Sequence, residues 1–169
     1  MSLERLKKLT EKLTLSSKVL YIVTFILMIC QTISFLWISL MPNKLNAFFN
    51  IFRIWAPFVS DINNIPLSRL ELSLALIKCI FLFLILLNIH EIFKKLSVRL
   101  DSADIIRELK CLSLIFLSES IVLPILRAIV WTIYLKTSHP LGLLDFTPLA
   151  VSLVLYYIAI FIQSKSVEK

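Results

Sequence analysis

Long apolar runs alternate with short polar connections along the whole chain, and this pattern predicts four transmembrane helices. The runs cover residues 19–41, 69–93, 109–136 and 144–163. Each run has about the 20 apolar residues that a helix needs to cross the hydrocarbon core of a bilayer. The sequence therefore predicts an all-α integral membrane protein, built as one four-helix transmembrane domain over residues 1–169.

The third run is interrupted in its middle by polar residues and a proline. Glu119, Ser120, Leu123 and Arg127 fall within an arc of about 80 to 100 degrees, because each residue of a helix turns by 100 degrees. Pro124 cannot donate to the Ser120 carbonyl, so we expect the helix to bend or loosen there. An ionisable side chain at membrane depth costs about 2.5 to 3.5 kcal/mol on insertion scales, and it tends to be paired or hydrated.

Charged residues on the neighbouring runs are candidates for the same polar site. The predicted intramembrane polar network comprises Glu71, Lys78, Glu119, Ser120, Arg127 and Asp145. One interpretation is a buried ion-pair network that fixes the pairing and register of the helices. The other is an outward-facing polar cavity in which Glu119 exchanges protons or holds a cationic ligand, beside the segment that Pro124 loosens.

The first run carries two polar residues in its apolar sequence. Thr24 and Gln31 are seven residues apart and share one face, which we expect to contact other helices and not lipid. For Gln31 we expect a hydrogen bond between helices, with a ligand contact as the alternative.

The longest outer connection, residues 42–69, is unusually aromatic for a loop. We define its outer aromatic shelf as Phe48, Phe49, Phe52, Trp55 and Phe58. An interfacial helix over residues 45–55 would rest these rings on the outer membrane surface. Membrane anchoring is the favoured role of the shelf, and docking of a partner is the alternative.

The N-terminal segment, residues 1–18, is basic and amphipathic. Leu3, Leu6, Leu9 and Leu13 recur at spacings of three and four with lysines between them. This pattern favours a short helix that lies on the anionic inner leaflet and contacts membrane lipids. A solvated basic tail is the alternative interpretation.

The positions of the basic residues predict the topology. Twelve Lys and Arg residues lie in residues 1–18, the middle loop and the C-terminal tail, whereas the two outer connections hold four. This positive-inside pattern places both termini in the cytoplasm. It also accounts for the net charge of +7 without nucleic-acid binding.

Two helix starts can be placed from capping signals. The third helix is expected to begin near Ser102, inside the cytoplasm, and to reach about Lys136. In the fourth helix, Thr147 and Pro148 are the expected N-cap and first helical residue.

Composition argues against several classes of function. A single glycine, Gly142, leaves no phosphate-binding loop, and the three cysteines form no CxxC motif. The two histidines, His90 and His139, are predicted at opposite membrane faces, so no serine is expected to find a catalytic base. We therefore predict a protein that is not an enzyme and that needs no metal or cofactor.

The layout resembles the small four-helix bacterial inner-membrane proteins of unknown function that are called YoaS-like. The shared features are the long outer connection, a short basic inner loop with Phe93, Lys94 and Lys95, and a polar helix start over residues 101–107. The resemblance implies a four-helix fold, and it brings no known activity or site residues.

Two classes of function are open. The first is an interaction protein, either an accessory subunit or an immunity protein that blocks a pore-forming toxin in the inner membrane. The second is a small carrier or channel, acting as a homo-oligomer through Glu119 and its neighbours. We favour the interaction protein, with another membrane protein as its partner.

Overall fold

The computed structural model describes residues 3–40, 65–98, 102–135 and 145–167, and these residues form four helices. The helices are α1 (Leu3–Leu40), α2 (Ile65–Val98), α3 (Ser102–Leu135) and α4 (Phe146–Val167). The predicted interfacial helix and the outer aromatic shelf lie outside the described residues.

Each of these helices is long and apolar enough to cross a membrane. The candidate spans are Lys8–Trp37, Arg69–Ser97, Ala103–Val130 and Phe146–Lys165. Large apolar side chains are exposed along the outside of the helices, as expected of surfaces that face lipid. The prediction of an all-α fold is confirmed for the described residues, whose four helices are each long and apolar enough to span a membrane.

The N-terminal segment differs from the separate surface helix that its sequence favours. Residues 3–18 are the first turns of α1, a continuous helix of 38 residues. Its length is about 57 Å at 1.5 Å per residue. No glycine or proline precedes Pro42, so no residue in the segment breaks the helix. Ser17 is buried and contacts His90 of α2, so this part of α1 packs against a neighbouring helix.

The predicted bounds of α3 are confirmed, whereas the predicted cap of α4 is wrong. α3 begins at Ser102 and ends at Leu135. The N-cap of α4 is Asp145, because its Oδ1 atom accepts a hydrogen bond from the Thr147 backbone N–H at 3.2 Å. A carboxylate at this position also interacts favourably with the positive end of the helix dipole, which makes Asp145 the better cap.

Extensive packing joins each helix to the next one along the chain. α1 packs on α2, α2 on α3, and α3 on α4. A polar stripe of α1 is buried at spacings of seven residues, and it consists of Thr10, Ser17, Thr24 and Gln31. The expectation that Thr24 and Gln31 face other helices is confirmed.

Small residues bring α3 and α4 close together. Ser113 Oγ donates to the Ser152 carbonyl oxygen at 2.9 Å, and Ser152 Oγ donates to the Ser113 carbonyl oxygen at 2.8 Å. The side chains of Ser120 and Ala159 are fully buried. Close approach through small residues, with hydrogen bonds between helices, is a common way for transmembrane helices to associate.

Candidate functional site

A charged cleft of about 480 Å³ lies between α1, α2 and α3 at the level of their membrane spans. Its polar lining residues are Gln31 from α1, Glu71 and Lys78 from α2, and Glu119 and Arg127 from α3. The remaining lining residues are Leu74, Ala75, Cys79, Leu82, Ile85 and Leu123. We call this space the charged cleft.

The cleft follows from helical spacing on two neighbouring helices. Glu71 and Lys78 are two turns apart on α2, and Glu119 and Arg127 are about two turns apart on α3. Because α2 packs against α3, the two rows of charged residues meet along one face of the contact. Four of the six residues of the predicted network therefore line a single cleft.

The other two predicted residues, Ser120 and Asp145, are not among the residues that line the cleft. The Ser120 side chain is fully buried, and its hydroxyl donates to the Leu117 carbonyl oxygen at 2.7 Å. The Asp145 carboxylate caps α4, and its backbone N–H donates to the Ser120 carbonyl oxygen at 3.0 Å. Both residues therefore hold α4 against α3.

Within the described residues, α4 begins about halfway along α3. Asp145 is level with Ser120, and Ser152 is level with Ser113, so α4 runs antiparallel along the first half of α3. The described part of α4 does not extend alongside residues 121–135, which include Arg127. Arg127 lies in this half of α3 and is exposed.

The charged groups of the cleft are neighbours without forming direct ion pairs across it. The positive charge of Lys78 attracts the Glu119 carboxylate, and the negative charge of Asp145 repels it. In the described helices, no ion pair within 4.0 Å joins Glu119 to Lys78 or Arg127. Glu119 is half-buried, whereas both cations are exposed. The interpretation as a network of direct ion pairs thus does not describe the Glu119 side of the cleft.

Gln31 brings an unsatisfied polar atom to the cleft. Its side chain is 6% exposed, and its Oε1 atom is buried without a hydrogen-bond partner. The Cys79 thiol of α2 is within reach of the Gln31 side chain. A buried acceptor without a donor costs about 1 to 3 kcal/mol. Among the described residues, Gln31 Oε1 is therefore a buried acceptor at the wall of the cleft that has no hydrogen-bond donor.

A second polar cluster lies at the cytoplasmic ends that the charge pattern predicts for α1 and α2. His90 Nδ1 is 3.2 Å from both Ser17 Oγ and the Thr14 carbonyl oxygen, and the His90 ring packs on Tyr21. The Ser17 hydroxyl is also 2.9 Å from the Thr14 carbonyl oxygen, to which it donates. We assign this cluster to helix packing, because its hydrogen bonds are used between α1 and α2.

An ion pair that the sequence pattern did not predict joins Lys95 of α2 to Glu108 of α3. The Lys95 Nζ and Glu108 Oε1 atoms are 2.6 Å apart, and both side chains are largely buried. The signal that could have found this ion pair is the pairing of opposite charges at the facing ends of two helices that a short loop connects.

Among the described residues, no group of three His, Cys, Asp or Glu side chains is arranged to hold a metal ion. Comparison of the chain with protein-family models, with curated proteins and with solved structures gives no match. The resemblance to the YoaS-like proteins therefore stays a prediction. The charged cleft is the feature of the described helices that argues most for a specific function.

Proposed function

We propose that this chain is a small multi-pass membrane interaction protein whose charged cleft receives a transmembrane segment of a partner membrane protein. The partner would be a complex of which the chain is an accessory subunit, or a pore-forming toxin against which it confers immunity. The observation that carries the proposal is the cleft itself, which charged groups of α2 and α3 line at membrane depth.

Lipid is a poor occupant for such a space. Lipid chains offer Lys78, Arg127 and the Gln31 acceptor neither charge nor hydrogen bonds, and polar groups inside a membrane are expensive unless they are paired or hydrated. The helices of this chain pack in order and leave the cleft without a further helix over it in the described structure. A partner helix with complementary groups would satisfy these side chains.

The proposed location is the bacterial inner membrane, with both termini in the cytoplasm. Twelve basic residues at the termini and middle loop support this orientation through the positive-inside rule. Lys95 contacts Glu108, and Lys110 contacts Gln163. These contacts bring together the C-terminal end of α2, the N-terminal end of α3 and the C-terminal end of α4. The basic residues of these ends would then face the same compartment.

The test is a quantitative purification from native membranes in mild detergent, followed by mass spectrometry. The wild-type chain is compared with Arg127→Gln, which changes the cleft, and with Arg107→Gln, which makes the same change at an exposed position outside it. We expect a stoichiometric membrane protein with the wild type and with Arg107→Gln, and its loss with Arg127→Gln. Recovery of all three chains alone, as one defined homo-oligomer, would contradict the proposal.

The second candidate is a small oligomeric carrier or channel that uses Glu119. It is favoured by the volume of the cleft, about 480 Å³, since small-molecule pockets hold roughly 300 to 1,000 Å³. Reconstitution into liposomes separates the candidates: a carrier would drive a pH change or solute uptake that Glu119→Gln abolishes while the protein stays folded. The matched control is Glu91→Gln, at a half-exposed position outside the cleft.

A further inference from the structure

We infer that the partner segment carries a carboxyl side chain, Asp or Glu, that binds Arg127 and Lys78 in the charged cleft. This inference rests on the proposed function and specifies the chemistry of the partner. It starts from the groups of the cleft that have no direct partner within the described helices, which are two cations and one buried hydrogen-bond acceptor.

The formal charges that line the cleft cancel, but they are not equally available to an occupant. Glu71 has an interaction of its own, and the Glu119 side chain is half-buried. Arg127 and Lys78 are exposed and belong to no ion pair of the described helices. The group that the cleft attracts is therefore an anion.

A carboxylate is the anion that a transmembrane helix can present at this depth. The guanidinium of Arg127 offers a planar pair of N–H donors that matches a carboxylate, and Lys78 adds a second positive charge to the same cleft. An Asp or Glu within a helix is costly at the centre of the bilayer and gains most when a cation meets it there. A Lys on the partner would instead meet two like charges, which are unfavourable at close range.

The apolar lining indicates how the rest of the segment would sit. Leu74, Leu82, Ile85 and Leu123 surround the polar groups, so apolar neighbours of the carboxyl residue would pack against them. A cleft of about 480 Å³ has room for several side chains of one helix face. Gln31 Oε1 can accept a hydrogen bond from a polar group of the same face.

Model transmembrane helices test the inference directly. The full-length protein is labelled with a donor fluorophore and placed in phosphatidylcholine vesicles with acceptor-labelled Leu/Ala helices of about 21 residues. The central residue of the guest helix is Asp, Asn, Lys or Leu. We expect the Asp helix to bind at least about ten times more tightly than the Asn helix, and the Lys helix to bind most weakly.

Variants show whether the preference comes from the cleft. Arg127→Gln and Lys78→Gln should each reduce the preference for Asp over Asn to about threefold or less, whereas Arg107→Gln should leave it unchanged. Retention of far-ultraviolet circular dichroism and of the melting temperature shows that each variant is folded. A preference that survives both cleft substitutions would overturn the assignment to Arg127 and Lys78.

The remaining outcomes also decide the question. Equal binding of the Asp, Asn and Lys helices, tighter binding of the Lys helix, or no binding of any guest overturns the inference. Loss of the Asp preference when phosphatidylglycerol is added also overturns the inference, because it identifies an anionic lipid as the occupant. Exclusion of the guest helices by a second copy of the chain overturns it as well. None of these results removes the proposed function, which the purification from native membranes tests independently.

Discussion

The backbone N–H of Asp145 donates to the carbonyl oxygen of Ser120 at 3.0 Å. In an uninterrupted helix that carbonyl would accept from the residue four positions later, which here is Pro124 and has no N–H. The N-cap residue of one helix thus satisfies the backbone acceptor that a proline leaves open in its neighbour. The contact fixes where α4 begins along α3, and it gives Asp145 a structural role.

Removing the Asp145 cap should destabilise the protein, and preserving the cap should not. Asp145→Ala is expected to lower the free energy of unfolding by about 0.5 to 2 kcal/mol, because the Thr147 N–H loses its acceptor. Asp145→Asn keeps a capping oxygen and should stay near the wild type. The measurement is thermal or denaturant unfolding in detergent. An equal loss in both variants would mean that the charge of Asp145 matters and that the cap does not.

The two serines that join α3 and α4 should be energetically coupled. Ser113→Ala and Ser152→Ala are each expected to cost about 0.6 to 1.7 kcal/mol. The double variant should cost less than the two single costs added together, since each substitution already breaks bonds that both hydroxyls share. Unfolding in a double-mutant cycle measures the coupling.

The control for this cycle is Ser118→Ala, whose exposed hydroxyl bonds only to Leu114 of its own helix in the described structure. It should change stability by less than about 0.5 kcal/mol. Strict additivity of Ser113→Ala and Ser152→Ala would show that the reciprocal bonds do not contribute as a unit.

Replacing Gln31 by an apolar residue should stabilise the isolated protein and weaken its binding to the partner. Gln31→Met replaces an amide that has an unsatisfied oxygen by an apolar side chain of similar length, so the isolated protein should gain about 1 kcal/mol. The same variant should retain less partner in purification, because the cleft loses its acceptor. The matched substitution Gln163→Met removes an exposed hydrogen bond from Lys110, so it should not stabilise the protein and should leave the amount of retained partner unchanged. A loss of stability in Gln31→Met would show that the amide is satisfied in the folded protein.

The ion pair between Lys95 and Glu108 should contribute to the packing of α2 on α3. Its side chains are 23% and 16% exposed, so Lys95→Met should cost about 1.5 to 3 kcal/mol. The neighbouring pair of Lys94 with Glu91 is 59% and 39% exposed, and Lys94→Met should cost under about 1 kcal/mol.

The charge reversal Lys95→Glu with Glu108→Lys tests whether pairing is the cause. The double variant should recover most of the stability that either single reversal loses. If neither reversal changes the melting temperature in detergent, the pair does not hold α2 to α3.

The sequence was sufficient to predict the helices and insufficient to predict how their side chains meet. Membrane spans follow from length and hydropathy, and the start of α3 at Ser102 follows from local capping signals, so both could be predicted. Four residues of the charged cleft could also be predicted, because a charged residue within an apolar run can be recognised without knowledge of the tertiary structure.

The missing information concerns the relative depth and order of the helices. Asp145 was expected to join the charged residues, but its depth depends on where α4 begins against α3, and the Ser120 carbonyl determines that position. Gln31 was expected to form a hydrogen bond between helices. Its side chain contacts the Cys79 thiol of α2, as expected, but its Oε1 atom has no partner among the described residues, which depends on the distance between α1 and α2.

Site-specific photocrosslinking in native membranes tests the central claim most directly. A photoreactive amino acid is placed at Leu82, which lines the cleft, or at Leu153, an exposed leucine of α4 outside the cleft. We expect one discrete protein adduct from position 82, its disappearance when Arg127→Gln is added, and no such adduct from position 153. Lipid adducts alone from position 82, or the same protein adducts from both positions, would contradict a partner in the charged cleft.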